Sequence, residues 1–417
     1  MSFVNLLSFA SVMESIGGVL LAVVVLLVMV MVHEFGHYVA GKSLGFKINE
    51  FSVGFGPAIL KKRSKKTGEL FALRVIPLGG YCAFDGEDEY EEAEPEKKED
   101  GEPFEELAEE PSKMENDGGR YAANAVKEEK TETQYPEPKG ERFNDQPPWK
   151  RIIVLIAGAT MNYLFALLLI IIMFGSYGCI HSYVDYKGEG TPVVSETELS
   201  AKDVVLRVDG DGIYMTSDYV DVLSGKKQGE TVAVDIRRKN AEGVWEEKTL
   251  QITLKADCNF ESMIDLSPVY AAFGLDSTQY RFASVTQKEG FWKTVGSSFV
   301  YSGKIGGSVL RSLGELITGK ISITSMGGPV TTIGVTAQAA SGGMLSLLNI
   351  AAFIGVNLAV FNLLPIPALD GCKVIFCIIE WIRKKPVNRK VETMIHFIGI
   401  IFLFGFAILV DVLQLIL

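Results

Sequence analysis

Residues 26–42 read LLVMVMVHEFGHYVAGK and set two histidines and a glutamate at the end of an apolar run. Inside a bilayer an ionisable side chain costs about 2.5 kcal/mol or more at a helix centre, so residues placed there mark functional positions. On a helix His33 and His37 lie one turn apart on the same face. Two imidazoles so spaced grip one cation, and Glu34 reaches water beside it. This is the H-E-x-x-H arrangement of zinc sites. Catalytic zinc takes three protein ligands and leaves a fourth position open, so another donor is required.

A candidate stands in FNLLPIPALDGCK, residues 361–373, where Asp370 closes an apolar segment. Pro365 and Pro367 break helical hydrogen bonding just before it, which a membrane tolerates only where the freed groups are buried in protein or face a wet cavity. Asp-Gly is also a strong turn signal, so Asp370 taken alone reads equally as a helix-end turn residue. A His, His, Asp donor set suits zinc, with other divalent metals open. Asn362 is placed to hold a substrate backbone or to bond a carbonyl within the bundle, and Asn162 in AGATMN poses the same choice. Gly158, four residues before Asn162, offers close helix packing.

These residues need helices to carry them. Four apolar blocks, 17–32, 152–180, 343–369 and 395–417, approach or exceed the ~20 residues that cross a bilayer. The first lacks the basic lead and small-residue cleavage site of a signal peptide. Lys and Arg cluster at 42–66, 150–151 and 383–390, which predicts that these segments are cytoplasmic, with both termini and residues ~181–342 outside. His33, His37 and Asp370 then fall at one depth, near the cytoplasmic side.

The formal charge of −11 belongs to one segment: residues 85–145 hold 23 acidic against 8 basic residues. That Glu- and Pro-rich composition predicts a solvated, disordered cytoplasmic insert over 85–146. The five cysteines, an odd number without C-x-x-C spacing, imply no disulfide framework. No nucleic-acid partner is expected.

H-E-F-G-H closing the first helix, with N-L-L-P-I-P-A-L-D-G in the third, resembles the site-2 protease family of intramembrane zinc metalloproteases. The similarity is greatest to the bacterial subgroup with an extracytoplasmic PDZ domain between the second and third helices. FSVGFGP (51–57), PLGGYC (77–82), PPWKRIIVLIAGATMNYLFA (147–166) and, more weakly, GGPV (327–330) extend the match. The resemblance implies His33, His37 and Asp370 as ligands of Zn²⁺, Glu34 as general base and Asn362 as a substrate-positioning residue. It further implies regulated cleavage within single-pass membrane proteins already trimmed outside, such as anti-sigma-factor-like regulators or remnant signal peptides, in the bacterial plasma membrane.

The expected fold is a multi-pass α-helical membrane protein with four transmembrane helices, a membrane-associated β-hairpin element and an extracytoplasmic PDZ-like β-rich domain. Its divisions are 1–42 (first helix), 43–84 (β element), 85–146 (insert), 147–180 (second helix), 181–270 (PDZ-like), 271–342 (amphipathic and linker region) and 343–417 (third and fourth helices). The run KDVVLRVDGDGIY matches a PDZ segment, yet the usual lead-in is reduced to ELSAKD and no carboxylate-binding loop is visible, which favours a size-exclusion gate. A transporter or metal channel, and a non-catalytic scaffold, would use the same polar intramembrane residues. The absence of an internal repeat argues against a secondary transporter, and the presence of Glu34 against an idle scaffold.

Overall fold

The computed structural model describes residues 9–87, 135–189, 195, 197–240, 242–262, 265–323 and 327–416. Helix α1 (Phe9–Ser43) leads into strands β1 (Ile48–Arg63) and β2 (Leu70–Phe84), and α2 follows at Pro148–Tyr177. A sheet region comprises β3 (Cys179–Tyr186), β4 (Val204–Val208), β5 (Asp211–Gly212), α3 (Ser217–Leu223), β6 (Thr231–Lys239), β7 (Trp245–Thr253), α4 (Ser267–Phe273) and β8 (Tyr280–Gln287). Helices α5 (Phe291–Ile317), α6 (Pro329–Ser341), α7 (Met344–Asn362), α8 (Asp370–Arg383) and α9 (Arg389–Ile416) complete the chain.

Among the described residues four helices are long and apolar enough to span a bilayer: Ile16–Ser43, Pro148–Tyr177, Met344–Asn362 and Arg389–Gln414. The third is shorter than the apolar block over 343–369. Leu363 to Leu369 form a turn, with Ala368 at φ +80°, and a new helix starts at Asp370. The two prolines account for the break, since neither can donate to a helical ladder. Exposed Phe397, Ile401, Phe402 and Phe404 on α9 give that helix a lipid-facing side. Its entry is tied down by charge: Glu380 of α8 pairs with buried Arg151 of α2 and, at 3.1 Å, with Arg389 of α9.

The β element is more than a simple hairpin. Residues 50–53 pair on one side with 80–83 and on the other with 70–73, while 58–63 pair with 70–74. Four extended segments therefore lie side by side in the order 58–63, 70–74, 50–53, 80–84. The strands fold back at 54–56 and 79, where Gly54, Gly56 and Gly79 take positive φ that other residues adopt only at a cost. The outermost segment, 80–84, has no further strand partner among the described residues.

The disorder expected over 85–146 concerns residues that mostly lie outside those described, namely 88–134. Its far end is ordered. Glu141 exchanges backbone hydrogen bonds with Lys47 and Gly45, and Phe143 is buried against Phe46 and Phe84. One buried aromatic thus anchors the end of a segment whose acidic composition suggests no core contact.

The second sheet runs β7-β6-β4-β3-β8, with β5 paired to β4. Strand β8 pairs antiparallel to β3 along its whole length, from Cys179–Gln287 to Tyr186–Tyr280. The sheet unit therefore extends past the expected boundary at 270, because YRFASVTQ finds its partner about a hundred residues upstream rather than in a local hairpin. Its core packs Val205, Val208, Ile213, Tyr219, Val234 and Phe273.

His181 of β3 is buried, stacked on Tyr214 with ring centroids 5.7 Å apart, and 3.9 Å from Glu289 just before α5. Burial pulls its pKa from the ordinary 6.5 down to about 4, although Glu289 draws it upward. The unfolded chain therefore binds the proton more readily than the folded one between those values, and stability present above pH 6.5 is lost as pH falls toward 4. Amide protection in β3 and β4, taken relative to the intrinsic exchange rate at each pH, is expected to fall across that window as pH drops, and His181→Phe to flatten the dependence; an unchanged profile in the variant would show that another group is responsible.

Candidate metal centre

An apolar helix with His at positions 33 and 37 presents both rings on one face, and α1 does so with each nearly buried, at 8% and 7% exposure. The Nε2 atoms lie 3.1 Å apart. Asp370 Oδ2 sits 3.0 Å from His33 Nε2 and 3.4 Å from His37 Nε2. Tetrahedral zinc with bonds of 2.0–2.2 Å separates neighbouring donors by about 3.3 Å, so this triangle has the size of one face of a zinc tetrahedron. Among the described residues these three form the one cluster of His, Cys, Asp or Glu with such spacing. The donor set and its dimensions fit zinc.

Asp370 owes its place to the turn before α8. Leu363 and Leu364 carbonyls come so close to Gly371 that any Cβ there would lie 2.3–2.4 Å from them, which holds the turn against the start of α8. The Ala368 N–H donates to His396 Nδ1 of α9 at 3.0 Å and fixes the loop from the other side.

Helix α2 supplies the wall behind the imidazoles through Val154, Gly158 and Asn162, spaced by four along one face. The Val154 carbonyl accepts from His37 Nδ1 at 2.8 Å, which leaves Nε2 to the cation. A Cβ on Gly158 would stand 2.4 Å from His37 Nε2 and 2.8 Å from His33 Cε1. The close packing expected of this glycine is therefore against the histidine rings themselves. Asn162 is fully buried with Nδ2 3.4 Å from His33 Nδ1.

Beside the cluster lies an open cavity of about 250 Å³, lined by His33, Glu34, Asn162, Asn362 and Asp370, and by Gly79 and Gly80 of β2. Glu34 is half-buried on this wall, and Asn362 reaches within 3.4 Å of His33 Nδ1 and 3.5 Å of Nε2. A Cβ on Gly80 would come 3.2 Å from Glu34 Cγ and 2.9 Å from the Ser52 carbonyl, so the start of the outermost segment, 80–84, passes directly beside the glutamate. All six residues singled out in the sequence thus meet here. Val154, Gly80 and His396 were not singled out. Val154 and Ala368 act through backbone groups, which no side-chain motif announces, and only the paired glycines of PLGG gave any signal for Gly80.

The sequence profile described as peptidase family M50 matches residues 21–406. The chain is 29% identical over 412 residues to the regulator of sigma-W protease RasP of Bacillus subtilis, covering 90% of this chain and 92% of that protein. It is 28% identical over 418 residues to the zinc metalloprotease RasP of Bacillus licheniformis, covering 90% and 93%. It is 27% identical over 425 residues to the zinc metalloprotease RasP of Geobacillus kaustophilus, covering 93% and 94%. Amide hydrolysis by a metal held among membrane-spanning helices is what such a site can do, and the chain accordingly belongs to peptidase family M50, as an intramembrane zinc metalloprotease of the site-2 type.

Proposed function

We propose that His33, His37 and Asp370 hold the zinc, that Glu34 is the general base, and that Asn362 positions the substrate backbone. The observation that carries this is the donor triangle of 3.0–3.4 Å, buried among helices long and apolar enough to span a bilayer, with the half-buried Glu34 carboxylate beside it. Zinc there would polarise the scissile carbonyl and acidify water. Glu34 takes the attacking water's proton and passes it to the departing amine as the C–N bond breaks. Asn362, partly exposed on the cavity wall, is placed for its carboxamide to bond an extended peptide.

A helical substrate hides its carbonyls in its own hydrogen bonds, so it must unwind before attack. Gly80, at the start of segment 80–84, lines the cavity, and we assign to the outer edge of that segment, which has no strand partner among the described residues, the reception of the unwound strand by strand addition. In this reading residues 42–66 and 383–390 are cytoplasmic, both termini lie outside, and the β3–β8 unit is a PDZ-like domain beyond the outer surface that restricts access. That restriction suits single-pass regulators or signal-peptide remnants already trimmed by a first protease in a bacterial plasma membrane. The Bacillus subtilis relative, named a regulator of sigma-W protease, is consistent with such substrates. The proposed division of the chain is the one given above, with the sheet unit extended to Gln287.

Purified protein should hold one zinc and cut tagged transmembrane segments within their apolar part. Glu34→Gln is expected to keep the zinc and lose at least ~10²-fold in cleavage, the scale of general-base catalysis. A channel would instead retain flux in that variant and a scaffold its binding; undiminished proteolysis would remove Glu34 from the mechanism. Gly158→Ala, which drives a methyl into the imidazoles, should lower zinc content and activity together, and normal zinc loading would show that α2 can yield. Chelation is expected to abolish cleavage and added zinc to restore it, measured on the same segments.

A further inference from the structure

The Asn162 side chain is fully buried, its Oδ1 has no hydrogen-bond partner among the described residues, and its Nδ2 faces His33 Nδ1 at 3.4 Å. His33 turns Nε2 toward Asp370 and His37. A neutral imidazole binds a cation through one nitrogen and carries its proton on the other, so with zinc on Nε2 the proton lies on Nδ1. The amide N–H would then oppose another donor. A half turn of the carboxamide exchanges its nitrogen and oxygen and sets Oδ1 on the Nδ1–H.

Two observations favour that arrangement. First, the stripe on α2 already treats His37 this way: the Val154 carbonyl accepts from Nδ1, Gly158 gives the rings room, and Asn162 stands one further turn along, at His33. Second, the alternative acceptor, Asn362, lies on the open cavity wall and is equally near both nitrogens of His33, at 3.4 and 3.5 Å. It is partly exposed, whereas Asn162, which lines the same cavity, is fully buried. We infer that Asn162 is a positioning residue for the metal: its carboxamide oxygen accepts from His33 Nδ1–H, fixing the tautomer and ring orientation that present Nε2, and leaving Asn362 to the substrate. This rests on the assignment of His33, His37 and Asp370 as zinc ligands.

The test is zinc affinity of the full chain in detergent, by competition with a chelator, for the native protein, Asn162→Leu and Asn162→Asp, together with the melting temperatures of the zinc-free proteins. Leucine has nearly the shape of asparagine and no acceptor; aspartate keeps an acceptor oxygen. Loss of such a partner typically weakens metal binding about 10–100-fold. Asn162→Leu is expected to show that loss with an unchanged zinc-free melt, and Asn162→Asp to remain within a few-fold of native. Equal zinc affinity in the leucine variant, or an aspartate variant as weak as leucine, overturns the inference, as does a fall confined to the zinc-free melt. If the leucine variant does not accumulate, Asn162→Ala is read in the same way. A native protein that binds no zinc would instead overturn the ligand assignment beneath it.

Discussion

Two imidazoles and a carboxylate brought within 3.4 Å of one another inside a helix bundle are the constraint around which this molecule is arranged. In a low-dielectric interior such groups are stable only when paired, hydrogen-bonded or bound to a metal. Three segments far apart in the chain therefore have to converge on a few ångströms: α1, the face of α2 and the turn before α8. The convergence is tight enough that single methyl groups at Gly158 or Gly371 would collide with a ring or a carbonyl.

The same constraint explains the irregular backbone at 363–369. A continuous third helix would carry Asp370 further along its own axis. Ending at Asn362 and restarting at Asp370 lets the chain fold a carboxylate back toward α1, with freed backbone groups bonded locally and by His396. The cluster of Arg151, Glu380 and Arg389 links α2, α8 and α9. A buried triad of this kind contributes little net stability. Its geometry does fix the relative placement of the elements that flank the metal site.

Access is shaped by what stands on either side. The folded-back β element brings its outer edge against Glu34, and the missing side chain at Gly80 leaves room there, since a Cβ would stand 3.2 Å from Glu34 Cγ and 2.9 Å from the Ser52 carbonyl. On the other flank, α5 joins the sheet unit to the bundle: Tyr301 and Ile305 of α5 pack with Phe174 of α2, Tyr214 of the sheet unit and Val356 of α7. The sheet unit is thus built into the same body as the bundle through a shared apolar cluster.

Much of this was legible in the sequence because membrane helices announce themselves by length and composition, and because H-E-x-x-H carries its geometry in its spacing. The four spans, and the identity of the residues that could form a metal site, follow from local patterns of that kind. Asp370 is different: on its own its Asp-Gly context reads equally as a turn, and only the fold shows its oxygen 3.0 Å from His33. The doubled β element, the pairing of β8 with β3 and the burial of Phe143 likewise depend on partners distant in the chain, where alternation and charge say nothing of who pairs with whom. The supports of the histidines lie deepest of all. A backbone carbonyl at Val154, an absent side chain at Gly158 and an amide at Asn162 acquire meaning only when α2 packs against α1, since a hydrogen-bond acceptor and an empty volume are properties of the contact, not of the residue.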